Sequence, residues 1–225
     1  MFTHIESVNN FQKLGIMHIS ILILTFGLMI FSFNINENKK FEKFLITMIG
    51  ISQFILFLWY LTGTKFYEDG LPFYTCRLAG LLLVISYLFD KPTLRACGVY
   101  LGFVGGIISI ITPELYPYSM LHFTNLNFFF YHMCLLCISS YYMVHEKNEI
   151  LEKKKESQKI ILMMLIVIAF INIKIGSNYA YTVMPPVFSD LFVKMKWIIY
   201  FIILVGLYQL SILIEAEIIK RIKKI

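Results

Sequence analysis

A thiol and a guanidinium stand side by side at Cys76 and Arg77, and an imidazole follows at His132 within another apolar stretch. A cysteine thiolate is a strong nucleophile, and a nearby histidine can take the proton that the thiol must lose. A cation or a side-chain amide beside such a pair can stabilise the oxyanion that forms when the thiolate attacks an ester. These residue types therefore predict a nucleophilic site for acyl transfer.

Each of the three residues also has a structural interpretation. Cys76 could be a small packing residue, and Arg77 could extend its charged end to the outer lipid head groups. The planar fork of Arg77 would also suit the phosphate of such a head group. His132 could donate an interhelical hydrogen bond to a carbonyl. The sequence alone leaves these interpretations open.

The composition predicts that the bilayer is the solvent of this chain. Its 225 residues are 58% hydrophobic and 15% charged, with a mean hydropathy of +0.72. A spanning helix needs about 20 mostly apolar residues, and seven stretches qualify, with short loops between them. We therefore expect an all-α polytopic membrane bundle of seven transmembrane helices, a single transmembrane domain over 1–225. The stretches lie at roughly 15–33, 44–62, 72–89, 94–112, 123–144, 159–175 and 196–219.

Basic residues predict how the chain is oriented. Fourteen Lys and Arg residues fall at one set of span ends and five at the opposite set. Because cytoplasmic loops of membrane proteins carry the excess of positive charge, the amino terminus is expected outside and the carboxyl terminus inside. The chain has 17 Lys but 3 Arg, a bias typical of an AT-rich bacterial genome. A bacterial cytoplasmic membrane is therefore the expected location.

Polar side chains inside hydrocarbon are costly, so each one requires an explanation. By this topology most of them fall in the outer half of the bilayer, near Cys76 and His132. Arg77 and Lys174 are expected to bind a phosphate, and Asn125, Asn172 and Asn178 to position His132 or the oxyanion. Asn125 and His132 are seven residues apart and share a helix face.

Depth argues against the pairing of Cys76 with His132. At a rise of about 1.5 Å per residue, Cys76 lies roughly 6 Å below Pro72, whereas His132 lies roughly 14 Å below Phe123. The two residues would meet only if the fifth span began nearer Asn125 or if the segment 114–124 dipped inward.

Other features predict packing. Gly98, Gly102 and Gly106 are four residues apart, which lets another helix approach closely. Cys134 and Cys137 form a CxxC pair without a second pair at zinc spacing, so no metal site is expected.

No motif for a cofactor is present. The net charge of +6 is ordinary for basic cytoplasmic loops, so no nucleic-acid partner is expected.

Four short motifs follow one another along the chain. They are LPFYTC at 71–76, ITPEL at 111–115, FFFYHM at 128–133 and IGSNYAY at 175–181. In this order, and with Pro185 just beyond the last, the chain resembles the YwaF-like bacterial integral membrane proteins over roughly residues 44–215. That family is related to the animal transmembrane protein 164 acyltransferase, which acts on ether phospholipids.

The resemblance implies functions for residues in these motifs. The acyl-accepting cysteine of the Leu-Pro-x-x-x-Cys motif corresponds to Cys76, and the histidine of the aromatic run corresponds to His132. Tyr179 falls in the last motif and is expected near the substrate with Asn178.

The leading hypothesis is therefore a membrane-embedded acyltransferase that moves a fatty acyl group between a phospholipid and a lysophospholipid, without a cofactor. A lipid-ester hydrolase would need the same residues, with water as the acceptor. A small-molecule carrier or lipid-binding membrane protein without catalysis is the alternative from another class. Transporters often contain inverted repeats, and the absence of an internal repeat in this sequence favours the enzyme.

Overall fold

The structure is a computed structural model, and it describes residues 11–186 and 189–222. Within these residues the chain is helical, with no β-strand. The α-helices are α1 (Ile16–Asn34), α2 (Lys39–Leu61), α3 (Thr75–Phe89), α4 (Pro92–Ile111), α5 (Phe123–His145), α6 (Lys147–Glu152), α7 (Lys154–Ile175), α8 (Ser189–Phe192) and α9 (Trp197–Arg221). A π-helical turn, Phe66–Gly70, precedes α3, and a 3-10 turn, Tyr179–Tyr181, follows α7.

Local sequence explains several helix ends. The side-chain oxygen of Asn38 accepts hydrogen bonds from the backbone N–H groups of Lys40 and Phe41, and so caps the start of α2. Pro92 begins α4, where the first turn does not need its missing N–H. Gly176 ends α7 with a φ of +69°, a left-handed conformation that glycine adopts without steric penalty.

Six helices in the described part of the chain are long and apolar enough to cross a membrane: α1, α2, α4, α5, α7 and α9. The chain is thus a multi-pass membrane protein with six candidate spans. The third predicted span, 72–89, is helical only from Thr75 to Phe89. Its 15 residues rise about 22 Å, less than the ~30 Å of the hydrocarbon core, so α3 does not reach spanning length.

Contacts at one end of the bundle, here called the basic end, join the ends of several helices. Arg95 near the start of α4 forms ion pairs with Asp90, just after α3, and with Glu149 on α6. The ammonium of Lys147 donates to the backbone carbonyl of Lys220 at the end of α9. The ends of α3 and α9 and the starts of α4 and α6 therefore lie together.

The opposite end, here called the site end, joins the other ends of the helices. His18 at the start of α1 bonds the carbonyl of Ile110 at the end of α4, at 2.8 Å. The ring of Trp59 at the end of α2 packs against His122, which precedes α5. Because α3 begins at the site end and finishes at the basic end, it runs through the bundle antiparallel to α2 and α4.

The helices differ in how much of their surface faces the surroundings. The most apolar stretch of α5 is 78% buried inside the protein, against 11% for α9. An interior helix can hold polar side chains without exposing them to lipid, and α5 has the lowest hydropathy of the six candidate spans. The predicted polar residues of this helix are therefore inside the bundle.

Glycines of α4 allow two neighbouring helices to approach. Gly98 lies against Leu83 of α3, whereas Gly102 lies against Leu135 of α5. Gly106 also lies against α5. The predicted packing role of these glycines is confirmed, and they are divided between two partner helices.

Candidate active site

A cavity of about 310 Å³ lies at the site end, between α2, α3, α4, α5 and the loop that precedes α5. Cys76, Arg77 and His132 all line it. The structure therefore brings together the three residues from which the sequence predicts chemistry. The other polar or ionisable groups of its lining include Gln53, Asp69, Tyr74, Ser109, Glu114 and Tyr181.

Cys76 is the second residue of α3. All four cysteines lie in the described part of the chain, and only Cys76 among them is partly exposed. Its sulfur is 3.6 Å from the hydroxyl oxygen of Ser109 on α4, close enough for a weak hydrogen bond. Cys76 lies in the first turn of α3, where the backbone N–H groups lack intrahelical partners.

His132 lies about three turns into α5, and its side chain is almost completely buried beside the cavity. Its Nδ1 atom is 2.7 Å from the carbonyl oxygen of Phe128, one turn earlier. Because a carbonyl only accepts hydrogen bonds, Nδ1 must carry the proton of the neutral ring. Nε2 is then unprotonated, and within the described residues it has no hydrogen-bond partner. His132 can therefore accept a proton at Nε2.

Helix α4 brings the two residues to the same depth. A Cβ atom added to Gly105 would lie 2.9 Å from the sulfur of Cys76. A Cβ atom on the next residue, Gly106, would lie 3.7 Å from the backbone carbonyl of His132. The predicted mismatch in depth is therefore absent, because consecutive glycines of α4 contact Cys76 on α3 and His132 on α5. A direct hydrogen bond between the thiol and the imidazole is not present among the described contacts.

Arg77 is buried, with a relative exposure of 7%. Its guanidinium donates to the carbonyls of Asp69 and Leu71, at 2.6 and 3.3 Å, and to the phenol oxygen of Tyr116, at 2.8 Å. It also lies 5.2 Å from the ring centre of Tyr60. These contacts hold Arg77 inside the protein, so it does not extend to the head groups.

The charge of Arg77 is not neutralised by an ion pair. In the described part of the chain, no carboxylate lies within ion-pair distance of its guanidinium. The carboxylate of Asp69 instead accepts a hydrogen bond from the phenol of Tyr74 at 3.0 Å. The phenol of Tyr74 is neutral here, because only its protonated form can donate this hydrogen bond. The cavity thus contains a buried cation beside neutral phenols.

Asn125 does not line the cavity. It is fully buried, and its amide nitrogen donates to the carbonyls of Tyr118 and Ser119 while its oxygen accepts from the N–H of Tyr116. The residue therefore fixes the loop that precedes α5. Asn127 lines the cavity instead, and its oxygen accepts a 2.6 Å hydrogen bond from Ser52 on α2.

Asn172 and Tyr179 support the site from behind it. The side-chain oxygen of Asn172 accepts from the backbone N–H of Tyr179, and its nitrogen donates to the carbonyl of the same residue. The phenol of Tyr179 then donates to the carbonyl of Tyr67 and accepts from the N–H of Leu71. Through these bonds the IGSNYAY motif positions the segment that leads into α3.

Lys174 and Asn178 lie outside the cavity. Lys174 is exposed on α7. Asn178 bonds the backbone of Val183 and Met184 and so closes its own loop. The predicted convergence of these residues with Cys76 is absent, because a shared depth in the membrane does not place residues on the same helix face.

Sequence reasoning did not identify several lining residues. Ser109 contacts the thiol, and Gln53 lines the cavity from α2. The phenol of Tyr131 donates to the carbonyl of Cys76 at 2.6 Å. Tyr131 directly precedes His132 in the motif FFFYHM, and this adjacency was the available signal. Gln53 is a polar side chain within an apolar stretch, which was the available signal for it, whereas Ser109 has no comparable signal.

A metal centre has no ligand set here. Within residues 11–186 and 189–222, no three His, Cys, Asp or Glu side chains are grouped closely enough to hold a metal ion.

Comparison with known proteins gives the family of the chain. No curated protein matches it, and no solved structure does either. The sequence model of the TMEM164 family matches residues 9–214. This range includes Cys76, His132 and all four motifs, and it covers far more than half of the chain. The chain therefore belongs to the TMEM164 family.

Proposed function

We propose that this protein moves a fatty acyl group between membrane phospholipids through a thioester on Cys76. The observation that carries this proposal is that a partly exposed cysteine and a histidine with an unprotonated Nε2 line the same cavity. Nucleophilic catalysis by cysteine needs both groups in one site. The relationship to an animal acyltransferase, implied by the motifs, points to the same chemistry.

The first half-reaction forms the thioester. Nε2 of His132 accepts the thiol proton of Cys76, and the sulfur attacks the carbonyl carbon of a phospholipid ester. The bond from this carbon to the glycerol oxygen breaks, and the leaving oxygen takes the proton back from His132. A lysophospholipid is released, and the acyl group remains on Cys76.

The second half-reaction reverses these steps with another acceptor. The hydroxyl of a second lysophospholipid gives its proton to His132 and attacks the thioester carbonyl. The carbon–sulfur bond breaks, and the sulfur recovers the proton from His132. The overall reaction is an exchange of acyl groups, so it needs neither an oxidant nor a cofactor.

Arg77 contributes positive charge near the reacting ester. Its guanidinium is hydrogen bonded to backbone carbonyls and to Tyr116, so it acts on the substrate mainly through its charge. A buried cation without a carboxylate partner favours the oxyanion or a nearby phosphate. Lys174 is exposed, and we assign it no direct part in the reaction.

The orientation of the chain follows from its basic residues. We infer that the basic end faces the cytoplasm of a bacterium and that the Cys76 cavity opens toward the outer leaflet of the cytoplasmic membrane. On this assignment α3 counts as a seventh crossing despite its length. A green fluorescent protein fused to the carboxyl terminus should fluoresce, and alkaline phosphatase fused there should be inactive. The opposite pair of results would reverse the orientation.

Intact-protein mass spectrometry tests the thioester. Purified protein is incubated with phosphatidylglycerol vesicles and compared before and after hydroxylamine, which cleaves thioesters. We expect an acyl adduct that hydroxylamine removes in the wild type, no adduct in Cys76→Ala, and strongly reduced adduct formation in His132→Ala. Cys134→Ala is the matched control, because Cys134 is buried away from the cavity, and it should behave as the wild type. An absent adduct in wild type and His132→Ala alike would overturn the proposal.

A labelled acyl chain separates transfer from the two alternatives. Vesicles contain a phospholipid with an isotopically labelled acyl chain and an unlabelled lysophospholipid. Transfer moves the label to the lysophospholipid, whereas hydrolysis releases labelled free fatty acid. A carrier or lipid-binding protein would bind lipid without changing either pool.

A further inference from the structure

A second cavity of about 290 Å³ lies between α2 and α3. Its walls are almost wholly apolar, and they include Ile49, Phe54 and Phe57 from α2 with Leu81 and Val84 from α3. Phe54, Phe57 and Leu81 are exposed. Because α2 is a candidate membrane span, this groove opens toward the hydrocarbon of the bilayer.

The groove adjoins the Cys76 cavity. Gln53, Leu56 and Arg77 line both spaces. Arg77 is the one charged residue in the lining of the groove, and it lies where the two spaces meet. The amide of Gln53 has no hydrogen-bond partner among the described contacts, so its donors are available at the same junction. The apolar groove thus borders, on the side of the lipid, the polar groups that line the Cys76 cavity.

Another apolar groove does not adjoin the Cys76 cavity. It lies between α3 and α7, where Phe73 and Leu78 face Met163 and Val167. It shares no lining residue with the Cys76 cavity. Both grooves are apolar, so apolar character does not distinguish them. What distinguishes the groove between α2 and α3 is that Gln53 and Arg77 line both it and the Cys76 cavity.

We propose that the groove between α2 and α3 binds the acyl chain of a membrane phospholipid and directs its ester past Gln53 to Cys76. This inference rests on the proposed acyl transfer and adds where the chain lies and what limits its length. An acyl chain fits the groove because its methylene groups match apolar walls, and its ester is the one polar part that needs Gln53 and Arg77. A soluble polar substrate would find no partner along these walls.

Gly50 keeps part of the groove empty. It lines the groove from α2, and a Cβ atom placed on it would lie 3.8 Å from Val84, an ordinary contact distance. Substitution with alanine is therefore tolerated, whereas leucine would fill space that the acyl chain uses. Gly206 on α9 is a matched control, since a Cβ atom there meets nothing within 4 Å.

The experiment measures which acyl chains become attached to Cys76. Wild type, Gly50→Leu, Gly50→Ala and Gly206→Leu are incubated with vesicles of phosphatidylglycerols whose chains run from dodecanoyl to octadecanoyl. The adducts are then resolved by mass. Gly50→Leu should shift the adducts toward shorter chains, because the leucine side chain occupies groove space and a long chain can no longer lie there with its ester beside Cys76. Gly50→Ala should shift them less, and Gly206→Leu should keep the wild-type distribution.

Two results would overturn the inference. The first is a Gly50→Leu protein that forms the adduct with the wild-type chain-length distribution. The second comes from photocrosslinking with a phosphatidylglycerol that has a diazirine in its acyl chain, if labelling misses the peptides that contain Phe54 and Leu81. Crosslinking does not need a thioester, so it tests the groove even if the wild type forms no adduct. If the wild type formed no adduct but the groove peptides were labelled, the result would count against the proposed acyl transfer and not against lipid binding in the groove.

Discussion

The phenol of Tyr131 donates a 2.6 Å hydrogen bond to the backbone carbonyl of Cys76. Tyr131 is the residue before His132, so this bond fixes α5 against α3 beside the proposed base and nucleophile. Gly80, one turn after Cys76, leaves the space that the phenol occupies, because a Cβ atom there would overlap the phenol oxygen. The relative position of the thiol and the imidazole therefore depends on a tyrosine that need not contact the substrate.

Tyr131→Phe removes this hydrogen bond and keeps the ring. We expect a loss of about 1 kcal/mol in the free energy of unfolding and a fall of roughly tenfold in thioester formation, since small displacements of reacting groups lower rates strongly. Tyr142→Phe is the control, because its phenol bonds Glu42 at the basic end. It should lose comparable stability and keep the wild-type rate. Equal rates in the two variants would contradict the positioning role.

Gly105→Ala tests the depth at which α4 holds the thiol. The added Cβ atom would lie 2.9 Å from the sulfur, so the Cys76 side chain must move. Thermal stability should be kept or slightly raised, because alanine favours a helix over glycine by about 1 kcal/mol. Thioester formation should fall, by up to about a hundredfold. In Gly106→Ala the nearest atom is the Leu136 Cβ at 3.4 Å, and activity should be close to wild type. A similar loss in both variants would point to general disturbance of α4.

The positions of the helices could be predicted from the sequence because spanning helices form from local apolar runs. The start of α3 could not be placed as well, since residues 72–74 are apolar or aromatic and yet precede the helix at Thr75. Nothing in the composition shows that the backbone N–H of Leu71, just before these residues, donates to Tyr179, more than a hundred residues away.

The candidate site was predictable only in part. Cys76 and His132 could be selected by chemical type, but their common depth results from Gly105 and Gly106, which face different helices. Polar residues that were grouped by leaflet proved to have different partners. Asn172 accepts from the backbone N–H of Tyr179, which would otherwise be buried without a partner, and a single sequence does not show which backbone groups need such a partner.

Arg77→Lys distinguishes a structural guanidinium from a head-group ligand. Lysine keeps the charge but cannot reach the carbonyls of Asp69 and Leu71 and the phenol of Tyr116 together. We expect a loss on the order of 2–3 kcal/mol in the free energy of unfolding, with reduced thioester formation. Arg95→Lys at the basic end should also lose stability but should form the thioester at the wild-type rate. Unchanged stability in Arg77→Lys, with an altered preference among anionic lipids, would instead favour binding of a head group.

Asn172→Ala tests the connection from α7 to the segment before α3. The change removes hydrogen bonds to Tyr179, Thr182 and Ser177, and it leaves the buried backbone N–H of Tyr179 without a partner. We expect the free energy of unfolding to fall on the order of 3 kcal/mol and thioester formation to fall with it. Asn178→Ala breaks only bonds within its own loop, so it should cost less stability. If Asn172→Ala kept wild-type stability, the proposed support of the site by this motif would be wrong.

Glu215 on α9 provides a prediction for stability alone. It is fully buried, and neither of its carboxyl oxygens has a hydrogen-bond partner in the described part of the chain. A buried polar group without a partner costs about 1–3 kcal/mol, and an apolar side chain of similar size avoids this cost. Glu215→Leu should therefore raise the midpoint of thermal unfolding in detergent. Glu217→Leu, two residues later, should not raise it, because Glu217 is exposed and pairs with Lys220 and Arg221. If Glu215→Leu lowered the midpoint of thermal unfolding and Glu215→Gln left it unchanged, the carboxyl group would have a polar partner in the membrane.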